Sequence, residues 1–117
     1  MHLLQGVSNA FLELEVDPLA PVVIPINLGN TNAKGKYQGS HWVGLVIRRN
    51  LGNDELEALY QDSFGTSMDN SLPTLRQILI NHNINAANIT DLSTVQQNNG
   101  YDCGLYTVLN LNFLQHL

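Results

Sequence analysis

Four polar residues stand at the ends of segments that the sequence predicts to be strands or helices, and their side chains could together perform acyl transfer. His41 precedes one apolar segment and Asp62 ends the next, while Gln97 and the chain's single cysteine, Cys103, flank a loop before the last apolar segment. The thiolate is the nucleophilic form of cysteine, and both a helix N-terminus and a nearby imidazolium lower the pKa of a thiol. We therefore expect Cys103 to attack a carbonyl carbon, with His41 as the general base.

The remaining two residues supply what this reaction also needs. Asp62 would orient His41 through its other ring nitrogen and stabilise the imidazolium that forms. The Gln97 amide and the backbone N–H of Cys103 could face the oxyanion of a tetrahedral intermediate, where one such donor is worth about 3–4 kcal/mol of the barrier. Each residue taken singly has a simpler explanation, such as a core position for the cysteine. Their joint placement indicates peptide or isopeptide hydrolysis through a thioester.

A β-hairpin is predicted to position the histidine and the aspartate. Residues 42–48 are apolar on both faces until Arg48, which is typical of a strand inside a sheet. Turn residues at 50–54 then lead into a second strand over 56–64. Because antiparallel pairing places opposite residues about 5 Å apart, His41 and Asp62 should lie side by side where the hairpin opens.

The rest of the chain predicts a single α+β domain over residues 1–117 with a mainly antiparallel sheet. Ser71 is the expected N-cap of a helix with Pro73 in its first turn, and one face of this helix is apolar. Cys103 opens the final helix, at 103–117. The other predictions are a strand-like alternation at 11–16, an edge strand at 22–27 with an internal proline, an apolar helix face of Leu72, Leu75, Ile78, Leu79 and His82, and a short strand at 89–95.

Composition excludes several classes of function. Five basic against ten acidic residues give a net charge of −5, which argues against binding to nucleic acid or to an anionic membrane surface. No apolar run approaches the ~20 residues of a membrane-spanning helix. A lone cysteine fits a reducing compartment, so we expect the cytoplasm or nucleus. No paired cysteines occur and the four histidines are scattered, so neither a metal nor another cofactor is expected.

Three short blocks of the sequence resemble the signature blocks of the Ulp1/SENP-like cysteine proteases, which process and deconjugate ubiquitin-like modifiers. That family has His-Trp in one strand, Tyr-x-Asp-Ser in the next, and Gln six residues before Asp-Cys-Gly. The matching blocks are Gly39-Ser40-His41-Trp42-Val43-Gly44-Leu45-Val46-Ile47, Tyr60-Gln61-Asp62-Ser63-Phe64 and Gln96-Gln97-Asn98-Asn99-Gly100-Tyr101-Asp102-Cys103-Gly104-Leu105-Tyr106. The resemblance covers roughly residues 22–113.

The resemblance implies a papain-like core with the nucleophile at the N-terminus of a central helix. It makes Cys103 the nucleophile, His41 the general base, Asp62 the orienting carboxylate and Gln97 the oxyanion-hole donor. Trp42 would help to cover the Gly-Gly tail of ubiquitin or a ubiquitin-like protein, and Gly104 would allow the substrate backbone to approach the nucleophile closely. The implied enzyme is a cofactor-free cysteine peptidase that acts on such modifiers and their conjugates.

Two other functions fit the same scaffold. A related group of bacterial acetyltransferases uses a similar Cys–His arrangement, typically with Glu where Asp62 stands, so Asp62 favours the protease. A binding module that holds a modifier without cleaving it is the third candidate. Family domains are usually longer and supply a second tryptophan to the tail channel, whereas Trp42 is the only tryptophan here. The resemblance therefore implies either a fragment of such a domain, truncated at its N-terminus, or a minimal relative that closes the channel in another way.

Overall fold

Three of the four strands that the structure describes form an antiparallel meander. The computed structural model describes residues 3–28 and 41–96. The strands are β1 (Val22–Asn27), β2 (Trp42–Arg49), β3 (Leu56–Gln61) and β4 (Ile89–Asp91), and they lie in that order across the sheet. β1–β2 and β2–β3 are antiparallel, whereas β4 runs parallel to β3. The helices are α1 (Leu3–Val16), α2 (Met68–Ser71) and α3 (Leu75–Asn81), and a 3-10 turn at Ala86–Asn88 precedes β4.

The hairpin and the edge strand form where the sequence predicts them. In β2, Val43 to Ile47 are all buried, as expected of an interior strand with apolar residues on both faces. β1 pairs only with β2, so its Pro25 lies in an edge strand of the described sheet, where a missing N–H is tolerated. The mainly antiparallel α+β fold is thereby confirmed.

One face of the sheet carries most of the described core. The N-terminal helix presents Val7, Ala10 and Leu14 to this face, and all three are buried. The same layer is completed by apolar residues of the strands and shorter helices: Val22, Ile24, Ile26, Val43, Leu45, Ile47, Ala58, Tyr60, Met68, Leu75, Leu79, Ile84 and Ile89. On the opposite face, Val46 and Leu59 are buried against Val23 and Leu92.

The strand predicted at 11–16 is wrong, because these residues form the second half of α1. Alternation over six residues competes with a longer helical pattern in which Val7, Ala10 and Leu14 recur every three or four positions and pack against the sheet. Upstream, the Gln5 amide donates to Asn9 Oδ1, one helical turn away, at 2.9 Å. The periodicity of the whole segment therefore determines its structure.

The single helix predicted from Ser71 is also wrong, since two short helices occupy this region. Ser67 caps α2 by accepting a hydrogen bond from the Asn70 N–H, and Ser71 is the last residue of that helix. Leu72, which precedes Pro73, has φ −136° and ψ 75°, because a residue before proline is disfavoured in the helical region. This break separates α2 from α3.

Two strands end earlier than predicted, one just before an aspartate and the other at one. β3 stops at Gln61 because the N–H groups of Phe64 and Gly65 turn back onto Asp62. β4 stops at Asp91, whose carboxylate accepts the N–H groups of Met68 and Ser93. The two turns bring the chain that follows each strand toward the same end of the sheet.

Candidate active site

His41 and Asp62 meet at the end of the sheet where β2 begins and β3 ends. The Leu28 N–H donates to the His41 carbonyl oxygen at 2.7 Å, which extends the β1–β2 pairing by one step beyond Trp42. Gly44 pairs with Gln61, so the hairpin register carries the next residue of the returning chain, Asp62, back toward His41. His41 Nε2 lies 2.9 Å from Asp62 Oδ1.

The Asp62 carboxylate is fully buried and is fixed by its own turn. Oδ1 accepts the Phe64 N–H at 2.8 Å in addition to its contact with His41, and the Asp62 carbonyl oxygen accepts the Gly65 N–H at 3.0 Å. The Asp62 N–H in turn donates to Ser93 Oγ at 3.0 Å. A buried charge is tolerated only where it is paired and hydrogen-bonded, and these bonds meet that requirement at Oδ1.

Two contacts fix the His41 ring: Asp62 contacts its edge at Nε2, and Phe64 packs on its face. The Phe64 ring stacks on it with centroids 4.5 Å apart and an interplanar angle of 24°. An ionised carboxylate only accepts hydrogen bonds, so Nε2 carries the proton that faces Asp62. Nδ1 is buried and has no hydrogen-bond partner among residues 3–28 and 41–96. The imidazole therefore has one nitrogen committed to the acid and one left to exchange a proton with a reacting group.

A short segment, residues 93–96, is bonded to the chain that carries Asp62. Phe64 and Val95 form an isolated antiparallel bridge, and the Gln96 N–H donates to the Ser63 carbonyl oxygen at 2.7 Å. The Gln61 side-chain amide donates to Thr94 Oγ1 at 3.3 Å and to Gln96 Oε1 at 3.2 Å. This segment leads directly into Gln97.

Gly65 permits the close approach of the two segments. Its φ is +78°, in the left-handed region that favours glycine, and a Cβ on it would lie 2.8 Å from Val95 Cγ2 and 3.1 Å from the Val95 nitrogen. A larger residue at this position would have to push residues 94 and 95 away. The glycine thus serves the backbone packing beside the His41–Asp62 pair.

A tyrosine contributes to the buried surroundings of the pair. Tyr60 is fully buried in β3, and this burial, with the nearby charge of Asp62, raises the pKa of its phenol well above the ordinary value of ~10. The phenol is therefore neutral over the physiological range. It adds no second negative charge beside Asp62.

The other predicted site residues are distributed as follows. Trp42 is half-buried at the start of β2, directly after His41, and its contact with a substrate tail stays a prediction. Gln97, Cys103 and Gly104 lie outside the described residues. The structure thus brings together two of the residues predicted for the site, and the catalytic role of each stays a prediction.

Three residues at this end of the sheet were missed by the sequence reasoning. Ser93 and Phe64 contact the pair through bonds and stacking that no local pattern encodes. Gln61 offers a weak signal, since it is a polar residue at the end of an otherwise mostly apolar strand and is only 7% exposed. A buried amide in such a place indicates a specific hydrogen-bonding task.

No cluster of three or more potential metal-ligating side chains occurs among the described residues. Within the same ranges, no helix has the length and apolar character that crossing a bilayer requires.

Comparison with known proteins gives one family match and one informative structural match. A family model described as the RickCE-like catalytic domain matches residues 21–116. The solved structure of the Rickettsia bellii effector protein RickCE is similar with a TM-score of 0.67 and 21% sequence identity, over 97% of this chain and 41% of that one. The chain thus spans less than half of that effector's length. A search of curated proteins gives no significant match.

Proposed function

The chain belongs to the RickCE-like catalytic domain family of the Ulp1-like CE clan, and from this premise we propose that it is a cysteine protease or isopeptidase. The clan provides a papain-like scaffold used by proteases and acetyltransferases. The proposed reaction is cleavage after the C-terminal Gly-Gly of ubiquitin or of a ubiquitin-like modifier of the SUMO/NEDD8 class. The chain would act as a single catalytic domain in a reducing compartment, either cytoplasm, nucleus or the cytosol of a host cell.

The His41–Asp62 pair is the observation that supports this proposal. Asp62 is buried and engages Nε2 at 2.9 Å, so it can orient the imidazole and stabilise its protonated form. Nδ1 is buried without a partner among the described residues, so it is available to accept the proton of a thiol. Asp rather than Glu at position 62 favours the protease over the acetyltransferase.

The proposed reaction proceeds in two acyl-transfer steps. His41 takes the proton of Cys103, and the thiolate attacks the carbonyl carbon of the last glycine to give a tetrahedral oxyanion that faces the Gln97 amide and the Cys103 N–H. Collapse breaks the C–N bond, and the imidazolium gives its proton to the leaving amine. Water, deprotonated by His41, then attacks the thioester and releases the modifier carboxylate and the thiol.

Two further residues would bind the substrate rather than react with it. Trp42 lies next to His41 on β2 and would cover the narrow Gly-Gly tail with its ring. Gly104 would leave room for the substrate backbone beside the nucleophile. The need for such a narrow tail explains why the proposed substrate class ends in two glycines.

A modifier with a C-terminal electrophile tests the proposal directly. We expect ubiquitin or a SUMO-class probe to form a covalent adduct with Cys103, detected as a mass increase, and the Cys103→Ala and His41→Ala variants to form none. His82→Ala is the matched control. The His82 ring also stacks on a phenylalanine, Phe11, with ring centroids 4.4 Å apart, but His82 lies at the end of α3 and has no role in the proposed reaction. Labelling of His82→Ala should equal that of the unchanged chain, and absence of adduct with every modifier would contradict the proposal.

Two additional measurements separate the alternatives. Transfer of labelled acetyl groups from acetyl-CoA to the protein, lost in Cys103→Ala, would identify an acetyltransferase instead. Modifier binding that survives Cys103→Ala, with no turnover by the unchanged chain, would identify a binding module.

A further inference from the structure

The side chain of Gln61 connects the two parts of the proposed site. It is the last residue of β3 and immediately precedes Asp62, and it is 7% exposed. Its Nε2 donates to Thr94 Oγ1 at 3.3 Å and to Gln96 Oε1 at 3.2 Å, across 33 and 35 positions of sequence. Gln96 immediately precedes Gln97. The Gln61 amide therefore joins the residue that precedes the proposed acid, Asp62, to the residue that precedes the proposed oxyanion donor, Gln97.

We propose that Gln61 is a positioning residue that sets the segment leading to Gln97 and Cys103 against the His41–Asp62 pair. This inference rests on the proposed thiol chemistry and adds a residue that neither reacts nor touches substrate. It identifies which contact aligns the part of the chain that carries the base with the part that carries the nucleophile.

Backbone contacts are one part of what joins the two segments. The segment 93–96 touches the Asp62 turn through the bridge at Phe64, through the Gln96 N–H bond to the Ser63 carbonyl oxygen and through Ser93 Oγ, which accepts the Asp62 N–H. The two Gln61 bonds add side-chain contacts at Thr94 and Gln96, and they join the segment to the end of β3 as well as to the Asp62 turn. A buried amide is also costly to leave unpaired, so the arrangement with both bonds formed is strongly preferred.

Alkylation of the thiol by iodoacetamide measures this alignment without any modifier. Cys103 is the only cysteine, so every adduct reports on the proposed nucleophile. An isolated thiol reacts with a midpoint near pH ~8.5, and a thiol paired with an imidazolium reacts as the thiolate at lower pH. We expect the unchanged chain to show a midpoint below pH ~7.5. We expect Gln61→Met, which keeps the side-chain length but cannot donate, to raise that midpoint by about one pH unit and to slow alkylation at pH 6 about tenfold.

Two variants distinguish positioning from a general loss of structure. Gln77→Met removes a similar amide bond, from Nε2 to Asn81 Oδ1 at 2.8 Å on α3, and should leave the alkylation profile unchanged. Gln61→Glu can form both bonds with their direction reversed, because the Thr94 hydroxyl and the Gln96 amide can donate. It should restore alkylation at pH 6 to within about threefold of the unchanged chain, an expectation based on retained hydrogen bonds. Should Gln61→Met not fold, Thr94→Val removes one bond from the exposed side and should shift the midpoint in the same direction.

The outcomes separate the two proposals. A Gln61→Met profile that coincides with that of the unchanged chain, or a Gln61→Glu variant that reacts as slowly as Gln61→Met, would overturn the positioning role and leave the thiol chemistry intact. An unchanged chain that alkylates like an isolated thiol, with no response to His41→Ala, would overturn the proposed function and the positioning role with it.

Discussion

Substituting Asn for Asp62 removes a negative charge while nearly preserving the shape of the side chain. Oδ1 of an asparagine can still accept the Phe64 N–H and the proton on His41 Nε2, which Asp62 Oδ1 contacts at 2.8 Å and 2.9 Å. The new amide group replaces Oδ2, which is buried and has no partner among the described residues. The hydrogen-bond geometry can therefore survive, and the charge is what changes.

The size of the effect follows from the separation of the charges. Two unit charges 2.9 Å apart at an effective dielectric constant of ~20 attract by about 6 kcal/mol. The His41 side chain is 21% exposed, so solvent screening lowers this figure, and we use about 3 kcal/mol for the lost stabilisation of the imidazolium. At about 1.4 kcal/mol per factor of ten, kcat/KM should fall about a hundredfold.

Hydrolysis of a fluorogenic modifier conjugate, followed from pH 5 to pH 9, measures this loss. We expect the rising limb of the Asp62→Asn profile to lie at higher pH, because the thiolate–imidazolium pair is less stable without the carboxylate. Asp69→Asn is the matched control, since Asp69 Oδ1 accepts from the Arg76 guanidinium at 3.1 Å on the exposed surface. Equal rates for Asp62→Asn and Asp69→Asn would refute the assignment of Asp62 as the orienting acid.

Three further perturbations have expected outcomes. Phe64→Leu removes the ring stacked on the His41 imidazole and should lower kcat/KM about fivefold. Phe11→Leu removes a ring stacked on His82, at the end of α3, and should lower only the melting temperature. Gly65→Ala should lower the free energy of unfolding in urea by about 1–3 kcal/mol, because Gly65 has a positive φ and lies close to the Val95 side chain. Gly52 has no positive φ, so Gly52→Ala should lower that free energy by less. Equal losses would contradict the packing argument. The native pKa of Tyr60 is raised above its unfolded value of ~10, so its contribution to stability is complete below pH ~10 and is lost as pH rises further. Urea unfolding at pH 8 to 11 should show a decline that Tyr60→Phe reduces, and an identical decline in both proteins would argue against this burial effect.

The hairpin could be predicted from sequence because its pattern and its structure coincide locally. Residues 42–47 are apolar and include the β-branched Val43, Val46 and Ile47, and the turn residues after the strand fix where the chain reverses. Pairing then brings positions 41 and 62 together without any information from elsewhere in the chain. The contact between His41 and Asp62 is therefore one that local rules can anticipate.

The helices were less predictable because competing patterns overlap in them. The alternation at 11–16 is real, but packing of Val7, Ala10 and Leu14 against the sheet determines the outcome. In the second region Pro73 interrupts what would otherwise be a continuous apolar face. In both cases tertiary packing or a single backbone restriction outweighs the local periodicity.

The bonds around the acid could not be derived from sequence at all. Gln61 and Asp62 make side-chain and backbone bonds to residues more than thirty positions away, and the stacking of Phe64 on His41 depends on how the Asp62 turn places its backbone. Such contacts require the parallel pairing of β4 with β3. The sequence of a short strand does not indicate which strand it will pair with or in which direction. Distance along the chain is thus what limited the prediction.

The difference in sequence separation between these contacts has a consequence for how the protein folds. The histidine and the aspartate are 21 positions apart and joined by a hairpin, whereas the bonds that fix residues 93–96 span 31 to 35 positions. Loops that close over fewer residues form sooner. We therefore expect the acid–base dyad to assemble before the later part of the chain docks beside it. During synthesis the sulfur would then remain an unactivated thiol, and it would become vulnerable to oxidants only in the finished molecule.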